Sequence, residues 1–331
     1  MAKLFIEDLN AGGKRVFVRV DFNVPVKDGV VEDDKRISAA LPTLQYLLEK
    51  GASLVVASHL GRPDGRVAEN LRMRPVAESL SQLLGQAVQT AGDCVGPEAE
   101  SKAAGLRHGE VLLLENLRFH PEEEENDPAF ARALARLGES YVNDAFGTAH
   151  RAHASTSGIA EHLPAAAGLL LQKELEALGQ VLHHPQRPYA LILGGAKVSD
   201  KIQLIQNLLD KVDRILIGGG MQYTFLASQG IGVGNSPVEP DHLETARRVT
   251  AKCKEHGIPL HLPLDHVIVE KIGPGALMRV TDRPGVPEGW EGVDLGPKTT
   301  EAFRQALRGA RTLLWNGPLG VFEIAPVSKG T

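Results

Sequence analysis

The sequence has little of what would mark an exported, membrane-bound or nucleic-acid-binding chain. Its 331 residues include two cysteines, Cys94 and Cys253. That is too few for a disulfide framework, so a reducing compartment, the cytoplasm, is expected. No stretch of ~18 residues is both uncharged and continuously apolar, as a bilayer span requires. The opening Met1-Ala-Lys-Leu-Phe-Ile-Glu-Asp places acids where a secretory signal needs an apolar stretch. Neither sign of charge dominates: 36 basic residues stand against 41 acidic, net −5, so no global basic field points to nucleic acid or to an anionic membrane, and any anion site must be local. Low-complexity segments and solenoid repeats are missing too. What remains is an ordinary globular composition, 43% hydrophobic and 23% charged, long enough for two domains.

Short apolar runs recur, separated by amphipathic stretches. The runs are Arg15 to Val24, Ser53 to Ser58, Val111 to Asn116, Tyr141 to Phe146, Tyr189 to Gly195, Arg214 to Gly220, His261 to Val269 and Thr312 to Asn316. Several are apolar without alternation, as in strands covered on both faces. Helical spacing fills Ile37 to Lys50, Pro75 to Leu84, Pro128 to Leu137, Ile202 to Leu209 and His242 to His256, and Gly51, Gly85, Gly138 and Gly257 stand as C-terminal stops. Strand then helix, repeated, predicts an α/β fold with doubly wound parallel sheets. The stretch from His162 to Pro188 reads as one long helix closed by a proline-flanked break, and the domain boundary is expected there. Glu122 to Glu125 is the single charge run, read as a solvated turn.

In open parallel sheets, ligands bind beyond the carboxyl ends of the strands. In the first half those ends read Arg19-Val-Asp-Phe-Asn-Val-Pro, His59-Leu-Gly-Arg-Pro, Glu115-Asn-Leu-Arg-Phe and Asp144-Ala-Phe-Gly-Thr-Ala-His-Arg-Ala-His. Arg36, Arg62, Arg118 and Arg151 with His59 would make a pocket for a small polyanion, because guanidinium forks match carboxylate and phosphate oxygens. In the second half, Leu193-Gly-Gly-Ala-Lys-Val-Ser-Asp-Lys opens a helix after a buried strand and reads as a phosphate cradle, with Lys197 and Lys201 on one helix face. Gly218-Gly-Gly-Met and Trp315-Asn-Gly-Pro-Leu-Gly repeat the arrangement, glycines letting a ligand touch the backbone. Three such turns favour a nucleotide. The P-loop pattern does not occur, and Gly218-Gly-Gly-Met-Gln-Tyr lacks the third glycine of the dinucleotide fingerprint. His150 and His153 lack the surrounding pattern of a metal pair, so buried or substrate-facing imidazoles are expected.

Together with Ala145-Phe-Gly-Thr-Ala-His-Arg-Ala-His-Ala-Ser, Gly296-Pro-Lys-Thr and Trp315-Asn-Gly-Pro-Leu-Gly-Val-Phe-Glu, these segments span Leu4 to Thr331, and the sequence closely resembles phosphoglycerate kinase of the bacterial type. The resemblance implies two Rossmann-like lobes: residues 1–165 binding 3-phosphoglycerate, 166–188 an interdomain helix and hinge, and 189–331 binding nucleotide. It implies that Asp21, Asn23, Arg36, His59, Arg62, Arg118 and Arg151 hold 3-phosphoglycerate. Gly195, Lys197, Lys201, Gly219, Gly292, Asn316, Pro318 and Glu323 would hold ADP or ATP, with Glu323 near the ribose and Val293 where the family often has Leu. The activity implied is reversible phosphoryl transfer between 1,3-bisphosphoglycerate and ADP in glycolysis, by a cytoplasmic monomer whose lobes close on a hinge. Arg36 would orient the acyl-phosphate, and Lys197 and Lys201 with Mg²⁺ would stabilise the migrating group. Family chains continue beyond the position of Thr331, so the resemblance places the magnesium aspartate beyond this sequence and implies an incomplete second lobe with unpaired strand edges. A non-catalytic anion or nucleotide binder is the alternative; a doubly wound dehydrogenase would rest on fold analogy alone.

Overall fold

The computed structural model describes residues 4–273, 276–322 and 328–331. The chain divides into two compact units, Met1–Ala177 and Leu178–Thr331. Among the described residues, no helix is long and apolar enough to cross a membrane.

The first unit carries β1 (Arg15–Arg19), a small hairpin of β2 (Val26–Lys27) and β3 (Val30–Val31), α1 (Lys35–Glu49), β4 (Ser53–Ala57), α2 (Arg74–Leu84), β5 (Val88–Thr90), α3 (Pro97–Ala104), β6 (Val111–Leu113), α4 (Pro121–Glu124), α5 (Pro128–Ala135), β7 (Ser140–Asn143), β8 (Ala165–Ala167) and the start of α6 (Leu169–His183). Six strands form one parallel sheet in the order β5-β6-β4-β1-β7-β8. Alternate residues of the apolar runs serve opposite faces, as the two-residue strand period requires. Val16, Val18, Leu54 and Val56 pack with Leu44, Leu47, Val76 and Leu80 of α1 and α2, while Phe17, Val55 and Leu112 pack with Ala99, Phe130 and Leu134 of α3 and α5. Each fully buried large side chain contributes about 1.5–3 kcal/mol of transfer free energy.

Two expectations for this unit are corrected. The segment after His162 is not one helix: Ala165–Ala167 pair with Tyr141–Asn143 as an edge strand, and the helix starts only at Leu169. The buried carboxylate of Asp144 decides this, accepting the Leu170 and Leu171 N–H groups at 3.0 and 3.1 Å. A side chain at Gly168 would lie 2.3 Å from Asp144 Oδ1. The stop glycines divide as well. Gly51, Gly85 and Gly257 take positive φ, whereas Gly138 does not; a Cβ there would meet Phe17 Cβ at 2.9 Å, so close packing on β1 is its reason.

The second unit carries the end of α6, then β9 (Tyr189–Leu193), α7 (Ile202–Leu208), β10 (Arg214–Ile217), α8 (Met221–Ser228), α9 (Leu243–Glu255), β11 (Leu260–His261), β12 (His266–Val269), β13 (Met278–Val280), β14 (Glu291–Leu295), α10 (Pro297–Leu307) and β15 (Thr312–Asn316). Its parallel sheet runs β11-β10-β9-β15, and β15 is an edge with Leu313 and Trp315 exposed. The run from His261 to Val269, expected as one strand, is two. Leu260–His261 extend the parallel sheet, and His266–Val269 belong to a separate antiparallel sheet, β13-β12-β14. Pro263 has no N–H for a ladder, and the carboxylate of buried Asp265 turns to the start of α10, accepting from Lys298 N at 3.0 Å and Thr299 N at 2.8 Å.

Candidate functional sites in the two units

In the first unit, the carboxyl ends of β1, β4, β6 and β7 bring charged residues together because adjacent parallel strands all end on one side. Arg36, at the start of α1, pairs with Asp21 at 2.7 Å. Asp21 thus orients a guanidinium rather than meeting an anion itself. Asn23 Oδ1 accepts the Gly61 N–H at 2.8 Å, and Arg118 Nη1 donates to the Gly61 carbonyl at 2.8 Å. Arg62 follows that anchored glycine with its side chain exposed. Arg151 is exposed, its Nε donating to His150 Nε2 at 3.4 Å, and its charge adds to that of Arg19 in disfavouring the Arg118 cation, which burial disfavours most. His59 is buried, its pKa lowered to about 2, first by burial and then by Arg19, Arg118 and Arg36. The convergence of these cations is expressed in that shift.

Two residues behind this cluster escaped the sequence reading. Arg19 is 1% exposed; its Nε donates to Ser155 Oγ at 2.8 Å, its Nη1 to the Val20 carbonyl, and its Nη2 faces His59 Nδ1 at 3.2 Å. Glu123, within the supposed solvated charge run, is fully buried and accepts the Ser155 N–H at 2.9 Å and hydroxyl at 2.5 Å. The run is therefore not simply a solvated turn: its first three residues lie in α4, Glu123 is buried, and Glu124 meets Arg118 at 3.3 Å. An arginine ending an apolar strand was the available signal for Arg19; nothing local distinguishes Glu123 from its neighbours. His153 is buried 3.9 Å from Glu123, while His150 is exposed.

In the second unit, the three glycine turns meet each other. A Cβ on Gly194 would lie 2.1 Å from the Pro318 carbonyl, and one on Gly219 would lie 2.6 Å from Gly195 N. Gly195 N–H donates to the Pro318 carbonyl at 2.8 Å and Gly219 N–H to that of Leu319 at 3.0 Å. Glycine here first permits backbone to pack on backbone. Gly292 has a different constraint, since its Cβ would fall 1.8 Å from Tyr223 Oη. Beside these turns lies a cavity of about 240 Å³ lined by Gly195, Gly219, Gly292 and Pro318, with Tyr223, Val293 and Phe322 among its other walls. Lys201 Nζ donates to Asn316 Oδ1. Lys197 is exposed in the loop before the helix, and α7 begins at Ile202, so the two lysines do not share a helix face. The cradle's Val198 and Ser199 N–H groups are occupied: both donate to the Glu239 carboxylate. Glu323 lies outside the described residues.

Arginines gathered about a buried histidine in one unit and a glycine-walled cavity in the other, each on an α/β scaffold, suit a nucleotide-dependent phosphotransferase. The phosphoglycerate kinase family model matches residues 6–331. Over all 331 residues the chain is 56% identical to the phosphoglycerate kinase of Moorella thermoacetica and 53% identical to that of Pelotomaculum thermopropionicum, spanning 84% of each. The solved structure of phosphoglycerate kinase from Coxiella burnetii superposes with a TM-score of 0.85 at 39% identity, covering 100% of this chain and 84% of that one. The chain belongs to the phosphoglycerate kinase family, and so to the kinases among the transferases.

Proposed function

We propose that the chain catalyses reversible phosphoryl transfer between 1,3-bisphosphoglycerate and ADP, giving 3-phosphoglycerate and ATP, as a cytoplasmic glycolytic enzyme. The observation that carries the reading is the set of cations gathered about His59. Phosphoryl transfer asks a protein for positioning and fixed positive charge rather than covalent help. In this reading Arg36, Arg62, Arg118 and Arg151 bind the carboxylate and phosphate of 3-phosphoglycerate, with Asp21 holding Arg36 and Asn23 holding the Gly61 turn. The nucleotide takes the cavity walled by Gly195, Gly219, Gly292 and Pro318. Lys201, steadied by Asn316, meets its phosphates, and Lys197 meets the migrating group.

The described residues at the glycine turns do not compose a magnesium site of their own, since the nearby Glu239 is already bound to Val198 and Ser199. Mg²⁺ is proposed to arrive on the nucleotide phosphates, as this ion commonly does. The test is MgATP-dependent phosphorylation of 3-phosphoglycerate by the full chain, together with calorimetric titration of each ligand. Binding of both ligands without turnover would favour the non-catalytic alternative; binding of neither would overturn the assignment.

A further inference from the structure

Asp93, Cys94 and His120 each place a metal-ligating atom within 4.8 Å of the other two, the one such trio among the described residues. Asp93 and Cys94 lie in the loop between β5 and α3, and His120 immediately precedes α4. The geometry points to a binding site for a zinc-class divalent ion, held by Cys94 Sγ, His120 Nε2 and an Asp93 carboxylate oxygen.

Four features support it. The donor set is sulfur, nitrogen and oxygen: a thiolate and an imidazole select zinc-like ions, whereas magnesium and calcium prefer oxygen alone. Ligands 2.0–2.3 Å from a tetrahedral ion lie about 3.5 Å apart, so this trio needs side-chain adjustment but no refolding. Asp93 Oδ1 is fixed in advance, accepting the Cys94 N–H at 2.6 Å and lying 2.7 Å from His120 Nε2. On the far side of the imidazole, Glu122 Oε2 sits 4.0 Å from His120 Nδ1, and this oxygen is buried with no hydrogen-bond partner. Carboxylates behind metal-binding histidines hold the ring with its proton on the distal nitrogen. Cys94 is itself sealed in the apolar core, whereas Asp93 and His120 are part-exposed and give an ion a way in.

The Cys94 S–H bond breaks, a sulfur–metal bond forms and that proton goes to solvent. The His120 proton moves from Nε2, facing Asp93, to Nδ1, facing Glu122, and the ion takes its place between imidazole and carboxylate.

Cobalt(II) is the probe, because thiolate ligation gives it a sulfur-to-metal charge-transfer band. The metal-free full chain should develop this band, saturating at one Co²⁺ per chain. Zn²⁺ should abolish it and excess Mg²⁺ should leave it in place. Cys94→Ala should lose the band, and Asp93→Asn, His120→Gln and Glu122→Gln should each weaken Co²⁺ binding about tenfold or more. No band at stoichiometric Co²⁺, or a band unchanged in Cys94→Ala and therefore belonging to Cys253, would overturn the proposal. Should Cys94→Ala fail to fold, Asp93→Asn decides, because its side-chain oxygen can still accept the Cys94 N–H; unaltered Co²⁺ affinity in that variant refutes the site.

Discussion

Arg19 Nη2 lies 3.2 Å from His59 Nδ1 inside the first unit. A guanidinium only donates, so Nδ1 accepts and the neutral ring carries its proton on Nε2. Because the His59 pKa falls from 6.5 to about 2, the unfolded chain binds this proton before the folded one does. Stability from this group is therefore complete above pH ~6.5 and drains away as pH falls toward about 2. By pH 4.5 the loss from this histidine reaches roughly 2–3 kcal/mol. Urea unfolding of the wild type and His59→Gln at pH 7 and 4.5 checks it: the variant should lose less stability between the two, and equal losses would contradict the assignment.

Glu123 holds both the N–H and the hydroxyl of Ser155, whose Oγ in turn meets Arg19. Glu123→Ala should cost about 3–5 kcal/mol, since it strands buried partners and an uncompensated arginine. Glu125→Ala, in the same charge run but exposed, should stay within about 0.5 kcal/mol. Denaturant midpoints compare them directly; similar costs would mean that Glu123 is not the anchor described.

Arg36→Ala should weaken 3-phosphoglycerate binding about 10- to 150-fold, the loss of one charge-assisted contact at ~1.5–3 kcal/mol, and leave nucleotide affinity unchanged. Calorimetric titration with each ligand separates the two. A parallel loss of both would show that the ligands do not occupy separate units.

The two lysines should behave differently. Lys201 is steadied by Asn316, and Lys201→Ala should raise the nucleotide Kd. Lys197 is free to meet charge as it develops, and Lys197→Ala should lower kcat about 10²-fold with KM nearly unchanged. Steady-state kinetics of both variants provide the comparison, and indistinguishable profiles would remove this division of labour.

Gly292→Ala would drive a Cβ into Tyr223 Oη, 1.8 Å away, beside the second unit's cavity. Nucleotide affinity should fall about tenfold or more, because Tyr223 must move. Gly232→Ala, with nothing within 4 Å of its Cβ, serves as the neutral comparison. Equal affinities for the two variants would show that the Tyr223 wall does not shape the site.

Much of this protein was legible along the chain. The strand-then-helix rhythm and the residues after each apolar run depend on local periodicity and on the geometry of parallel sheets, so His59, Arg118 and the glycine turns stand out along the chain. What stayed hidden depends on groups far apart in sequence. Glu123 looks like its three neighbours until Ser155, 32 residues on, claims its carboxylate. Gly138 looks like a helix stop until Phe17 packs against it. Asp144 and Asp265 read as residues beside strands, yet their buried carboxylates fix where α6 and α10 begin, and so divide runs that hydrophobicity alone would join. Composition and periodicity set which face of an element is buried; only the folded chain sets which buried polar groups meet, because an unpaired buried carboxylate is too costly to leave and its partner can come from anywhere.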